Sequence, residues 1–125
     1  MTYSRISVAA TCVCWLLCLC LLTTPGLIYW LFQIPAHDSA DFLAKRAAML
    51  FLGLGVMTFL SRQSNNSETQ RILSAGMMAG MSGLAMLGLF EYLRGMAGPG
   101  MWLAICAELG FVMAYLRVYR RASQA

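Results

Sequence analysis

Four long apolar runs alternate with short polar stretches along this chain. Ile6 to Thr24 holds 19 residues without a charge. At about 1.5 Å per residue that is about 28 Å of helix, enough to cross the hydrocarbon core of a bilayer. Phe42 to Leu60, Ile72 to Leu93 and Met101 to Tyr119 are of similar length and apolar content. The boundaries carry helix-stopping chemistry. Pro25-Gly26 ends or kinks the first run, because proline lacks an N–H donor and clashes with the turn before it. The polar stretch SRQSNNSETQ, Ser61 to Gln70, separates the second run from the third. RGMAGPG, Arg94 to Gly100, is a turn dense in Gly and Pro between the third and fourth.

Between the first and second runs lies segment 26–34, with Tyr29, Trp30 and Phe32. It is too short to span, and its aromatic content suits the headgroup level. It is expected to be a short helix lying in the interface. Pro35 to Ala40 forms the loop that follows, where Asp38 or Ser39 is placed to cap the next helix. The pattern therefore predicts an all-α, antiparallel four-helix transmembrane bundle in one domain, residues 1–125. The spans are about 6–24, 42–60, 72–93 and 101–119, with an interfacial helix after the first. Short connections make successive spans antiparallel neighbours.

The third run carries the most specific pattern. At about 100° per residue, Gly76, Ala79, Gly80 and Gly83 fall on one face, and Glu91 and Arg94 return to that face. Small side chains let a second helix backbone approach closely, where packing replaces the hydrophobic drive that lipid does not supply. Charged groups avoid the tails. Both arguments turn this face inward, into the bundle or onto a second copy.

Composition agrees with a bilayer as solvent. Hydrophobic residues make up 60% of the 125 and charged residues 11%, against the usual soluble share of about 25%. The net charge of +4 does not imply nucleic acid, which needs a solvated basic face. Here Lys and Arg stand at the ends of apolar runs. With the amino terminus inside, Arg5, Arg62, Arg71, Arg117, Arg120 and Arg121 lie on the inner side, and Lys45, Arg46 and Arg94 on the outer. That asymmetry favours both termini in the cytoplasm. The first run is read as an uncleaved span, since it is long and lacks an A-x-A site.

Candidate chemistry is sparse. Cys12, Cys14, Cys18 and Cys20 sit inside the first span, where only Cys14 and Cys18 share a face. They read as small lipid-compatible side chains rather than a metal set or a disulfide framework. His37, the one histidine, lies in a loop and argues against a helix-bound haem. The ten methionines read as soft packing filler. No cofactor, metal or catalytic motif is expected. Arg46, Glu91, Arg94 and Glu108 all fall in the outer half of the spans. A carboxylate at the depth of Glu108 must be paired, wet or protonated. Either the four residues form an ion-pair network that sets helix register, or Glu108, with Glu91 beside it, is a proton-titrating or cation-binding site.

Several segments resemble small bacterial membrane proteins in the neighbourhood of the DoxX-like families. They are a first span ending at a proline with an aromatic continuation (Pro25 to Ile34), and DFLAKRAAMLFLGLG leading into a glycine-rich second span. FEYLRGMAGPG closing the third span and the single Glu108 in the fourth complete the likeness. The glutamate usual in those families just before the second-span arginine is absent; Ala44 and Lys45 occupy that region. The resemblance implies a four-helix inner-membrane protein. Small multidrug transporters are also four-helix proteins, but their key carboxylate lies in the first span, which has none here.

The expected function is a structural or accessory membrane component acting through helix packing, and not an enzyme. The alternative is a small proton-coupled transporter using Glu108. The expected partners are the lipid bilayer and a second copy or another membrane protein.

Overall fold

In the computed structural model, which describes residues 2–124, the chain forms α1 (Tyr3–Thr23), α2 (Pro25–Phe32), α3 (Asp38–Ser61), α4 (Ser67–Leu93) and α5 (Met101–Gln124). Helices α1, α3, α4 and α5 are long and apolar enough to cross a membrane. The protein is an antiparallel four-helix bundle of multi-pass membrane type, with α2 as a short helix after the first span.

The helices run further into the polar segments than the hydrophobic pattern suggests. α4 begins at Ser67, so the expected ten-residue turn contracts to residues 62–66. The cause is local. Asn66 Oδ1 accepts the Glu68 N–H at 2.9 Å, and Glu68 in the first turn complements the positive end of the helix dipole. Asp38 and Asp41 do the same for α3. His37, not Asp38 or Ser39, takes the cap position of α3, and its side chain makes no capping bond.

α1 breaks at Thr24 (φ −139°, ψ 61°), and Pro25 opens α2, where its missing N–H costs nothing because the first turn has no acceptor for it. Gln33 ends α2 in the left-handed region (φ 53°). Tyr29 tucks under the end of α1, packing with Cys18, Leu21, Ala44 and Ala48.

The bundle is two hairpins. α1 lies along α3 and α4 along α5, while the hairpins touch each other only lightly. The α1–α3 seam is made of small and hydroxylated residues: Ser7, Thr11, Cys14 and Cys18 against Ala44, Ala48, Gly55 and Thr58. Trp15 lies against Gly55 and beside Phe59, ring centroids 5.6 Å apart. In the second hairpin Gly88 faces Met101 and Ile105.

The hairpins meet at the end that holds the chain termini. Tyr3, Ile6 and Ala10 of α1 pack there with Met77, Met81, Tyr115 and Val118, and the Tyr3 hydroxyl donates to Ser61 Oγ at 3.0 Å. At the opposite end the Gly98 N–H donates to the Phe32 carbonyl at 2.6 Å, and Gly100 lies against the Leu31 carbonyl. The outer surface is studded with exposed Leu16, Leu50, Leu60, Met86 and Leu103, a surface suited to lipid tails.

Candidate intramembrane polar site

The glycine face of α4 does not point into the bundle. Gly76, Ala79, Gly80 and Gly83 are exposed, and a methyl placed on Gly76, Gly80 or Gly83 would meet nothing within 4 Å. The buried face of α4 is instead Ser74, Met77, Met81, Ala85 and Gly88, roughly 150° round the helix at about 100° per residue. Long, pliable methionine side chains fill the uneven groove against α5; a flat glycine face has nothing to bury there.

The expected four-residue charge network is not assembled. Glu91 and Arg94 pair with each other one turn apart at 3.4 Å, with side-chain exposures of 32% and 56%. They sit at the end of α4, where the long arginine side chain reaches headgroups and a charge needs no protein cover. An exposed pair of this kind is worth about 0–1 kcal/mol. Arg46 is exposed on α3, its guanidinium 5.7 Å from the Phe42 ring centroid. α3 and α4 barely touch, so Arg46 has no route to Glu91.

Glu108 stands apart from all three. Ile105, Val112 and Tyr115 flank it on the inward face of α5. Its Oε2 is buried and closes no hydrogen bond, and no described Lys or Arg lies within ion-pair distance of it. The register of α4 against α5, set by Gly88 facing Ile105, brings small Ala85 to the level of Glu108. The residue is half-buried, with one carboxyl oxygen turned into the bundle without a compensating charge.

A second polar feature escaped the sequence reading. Ser7, Thr11, Thr58, Ser74 and Tyr115 are all buried, drawn from all four spans, at the end where the hairpins meet. Thr11 and Thr58 satisfy each other and nearby carbonyls. Ser7 Oγ, Ser74 Oγ and Tyr115 Oη close no hydrogen bond, although Ser7 is the neighbour that the Tyr115 hydroxyl faces. An unmade bond on a buried polar group costs about 1–3 kcal/mol. The available signal was a hydroxyl on the inward stripe of each run, with Ser7 and Thr11 four apart. Single serines and threonines in a span satisfy their own helix so readily that the pattern carries little weight until the helices are placed together.

Tyr29, outside the spans, is also buried without a hydrogen bond. Burial first, and then the nearby Asp41 carboxylate, push its phenol above the ordinary range. His37 is exposed at the start of α3. Cys14 and Cys18 share the buried face of α1, as their spacing implies.

No family model, curated protein or solved structure matches the chain.

Proposed function

We propose that the protein is an accessory component of the bacterial inner membrane that works by packing a second copy of itself onto the glycine face of α4. The observation that carries this reading is the open space outside Gly76, Gly80 and Gly83. Gly76 and Gly80 stand four apart, the spacing of the self-pairing small-xxx-small dimer motif. The distribution of arginine supports cytoplasmic termini, and the resemblance to the DoxX-like neighbourhood over Pro25 to Tyr119 supports the same membrane. The test is energy transfer between differently labelled copies in liposomes. The wild-type chain should transfer efficiently and Gly80→Ile should not; equal transfer by both would remove the packing role.

A separate observation favours a second reading, a small proton-coupled transporter. Glu108 has neither Arg46 nor Arg94 as a partner, so a register-setting ion pair does not account for it. A carboxyl held inside a span without a cation is suited to taking up and releasing a proton. Glu108→Gln tests this: retained folding yield with lost proton flux in liposomes supports it, and unchanged flux removes it.

A further inference from the structure

Within the spans, Ser7 Oγ, Ser74 Oγ, Tyr115 Oη and Glu108 Oε2 are the buried side-chain atoms left without a hydrogen bond among the described residues. They are not scattered. Ser7, Ser74 and Tyr115 are each 0% exposed and come from three helices. Ser7 faces Tyr115, and the α4–α5 register set by Gly88 and Ile105 brings Ser74 to the level of Val118, about one turn from Tyr115. Glu108 lies two turns from Tyr115 on the same face of α5, about 10 Å along the axis. Helical side chains lean toward the amino end of their own helix. Tyr115 and Glu108 therefore both lean away from the chain termini, which leaves their separation of about 10 Å along the axis unchanged.

On the other side of the hydroxyls the bundle opens. A hollow of about 200 Å³ is lined by Ile6, Ala114, Arg117, Val118 and Arg121. A second, of about 540 Å³, is reached between Tyr3, Arg62, Gln70 and Val118.

We propose that Ser7, Ser74 and Tyr115 hold a short file of water and form the inner leg of a proton path ending at Glu108. This rests on the transport reading of Glu108 given above. Water fits the donor set: a hydroxyl can both give and accept, and buried groups of this kind are ordinarily satisfied by protein or by ordered water. A multivalent metal cation does not fit, because the three hydroxyls bring no charge and the described residues gather no His, Cys, Asp or Glu set around one. Thr11 and Thr58, the next nearest, are bonded to carbonyls and to each other.

In the transfer, a hydronium ion in the inner hollow gives its proton to the first water of the file. Each oxygen along the file accepts a proton on a lone pair and releases the one it held. The Glu108 carboxylate takes the last and becomes a carboxylic acid. Only O–H bonds form and break, and Tyr115 serves as a neutral phenol throughout. Tyr3 and Cys14 of α1 are the titratable groups that face Tyr115. α4 presents Ser74, Met77 and Met81 to the seam, none of which titrates, and Arg117 and Arg121 rim the hollow.

The full chain is reconstituted in liposomes holding a pH-sensitive dye, and a valinomycin-clamped potassium gradient drives proton entry. The wild-type chain should acidify the vesicles, and Glu108→Gln should fall to the rate of protein-free liposomes. Tyr115→Phe and the double variant Ser7→Ala, Ser74→Ala should each be at least tenfold slower than wild type. Thr23→Val, a hydroxyl outside the path that donates to its own helix, should be unaffected. If Glu108→Gln loses flux while the hydroxyl variants run at the wild-type rate, the inner leg is overturned and the transport reading survives. If the wild-type chain is no faster than protein-free liposomes, both are overturned. Hydroxyl-radical footprinting of the wild-type chain guards against misfolded variants. Water beside Tyr115 should label it despite its burial, and an unlabelled Tyr115 would overturn the proposal.

Discussion

Thr11 of α1 and Thr58 of α3 face each other with their hydroxyl oxygens 2.8 Å apart, a direct side-chain hydrogen bond across the buried seam between the two helices. Each hydroxyl also reaches a carbonyl of its own helix, Ser7 at 2.8 Å and Leu54 at 2.9 Å. A hydroxyl has one proton, so whichever threonine donates across the seam gives up its own carbonyl. The bond across the seam thus replaces one within a helix, and its net worth should be small. A double-mutant cycle of Thr11→Val and Thr58→Val should give a coupling of about 0.6 kcal/mol, below the ceiling near 1.7 kcal/mol for such bonds in membranes. Equilibrium unfolding in mixed micelles measures it. A coupling above that ceiling would mean the seam depends on this bond rather than on packing.

Gly55 and Gly53 are two residues apart and should respond oppositely to alanine. A Cβ on Gly55 would collide with the Trp15 indole, so Trp15 must move away from Phe59 or the seam must widen, a cost of about 1–3 kcal/mol. A Cβ on Gly53 meets nothing, and alanine there should be neutral or stabilising by up to about 1 kcal/mol, from helix propensity. Thermal melts of the two variants in one detergent decide it. Equal melting temperatures would show that Trp15 does not seat on Gly55.

Replacing Glu108 with leucine should raise stability, because the variant removes a half-buried carboxyl whose inward oxygen, Oε2, has no partner. The gain expected is about 1–3 kcal/mol, read as a higher unfolding midpoint. If Glu108→Leu is instead destabilised by that amount, the carboxyl is paired in the membrane and its role is structural.

Labels should find Gln63 and Gly98 on opposite faces of the membrane. Gln63 lies in the short turn beside both chain termini, and Gly98 is bonded to Phe32 at the far end. Single cysteines at these positions in a cysteine-free background, probed with an impermeant maleimide on sealed vesicles, should label from opposite sides. Labelling from one side would dismantle the four-span arrangement.

The class of the protein was legible in the chain alone. A run of some 20 residues without a charge has only one economical conformation in lipid, a helix, because each backbone group must be satisfied within the segment. Pro25, the polar stretch Ser61 to Gln70 and the glycine-rich turn before Met101 then divide the runs without reference to anything distant. Helix ends were less legible, since capping by Asn66 and acidic first turns extend helices past the apolar edge. Which face of each helix turns inward was decided only by the tertiary structure. On α4 the glycine and methionine stripes are equally periodic, and the methionines were chosen because α5 offers them a groove. Glu91 and Arg94 follow the exposed stripe to the helix end, where headgroup-level surroundings tolerate them. The isolation of Glu108 and the gathering of Ser7, Ser74 and Tyr115 depend on how two hairpins lean together. That relation joins residues more than a hundred positions apart, and no local pattern of hydrophobicity records it.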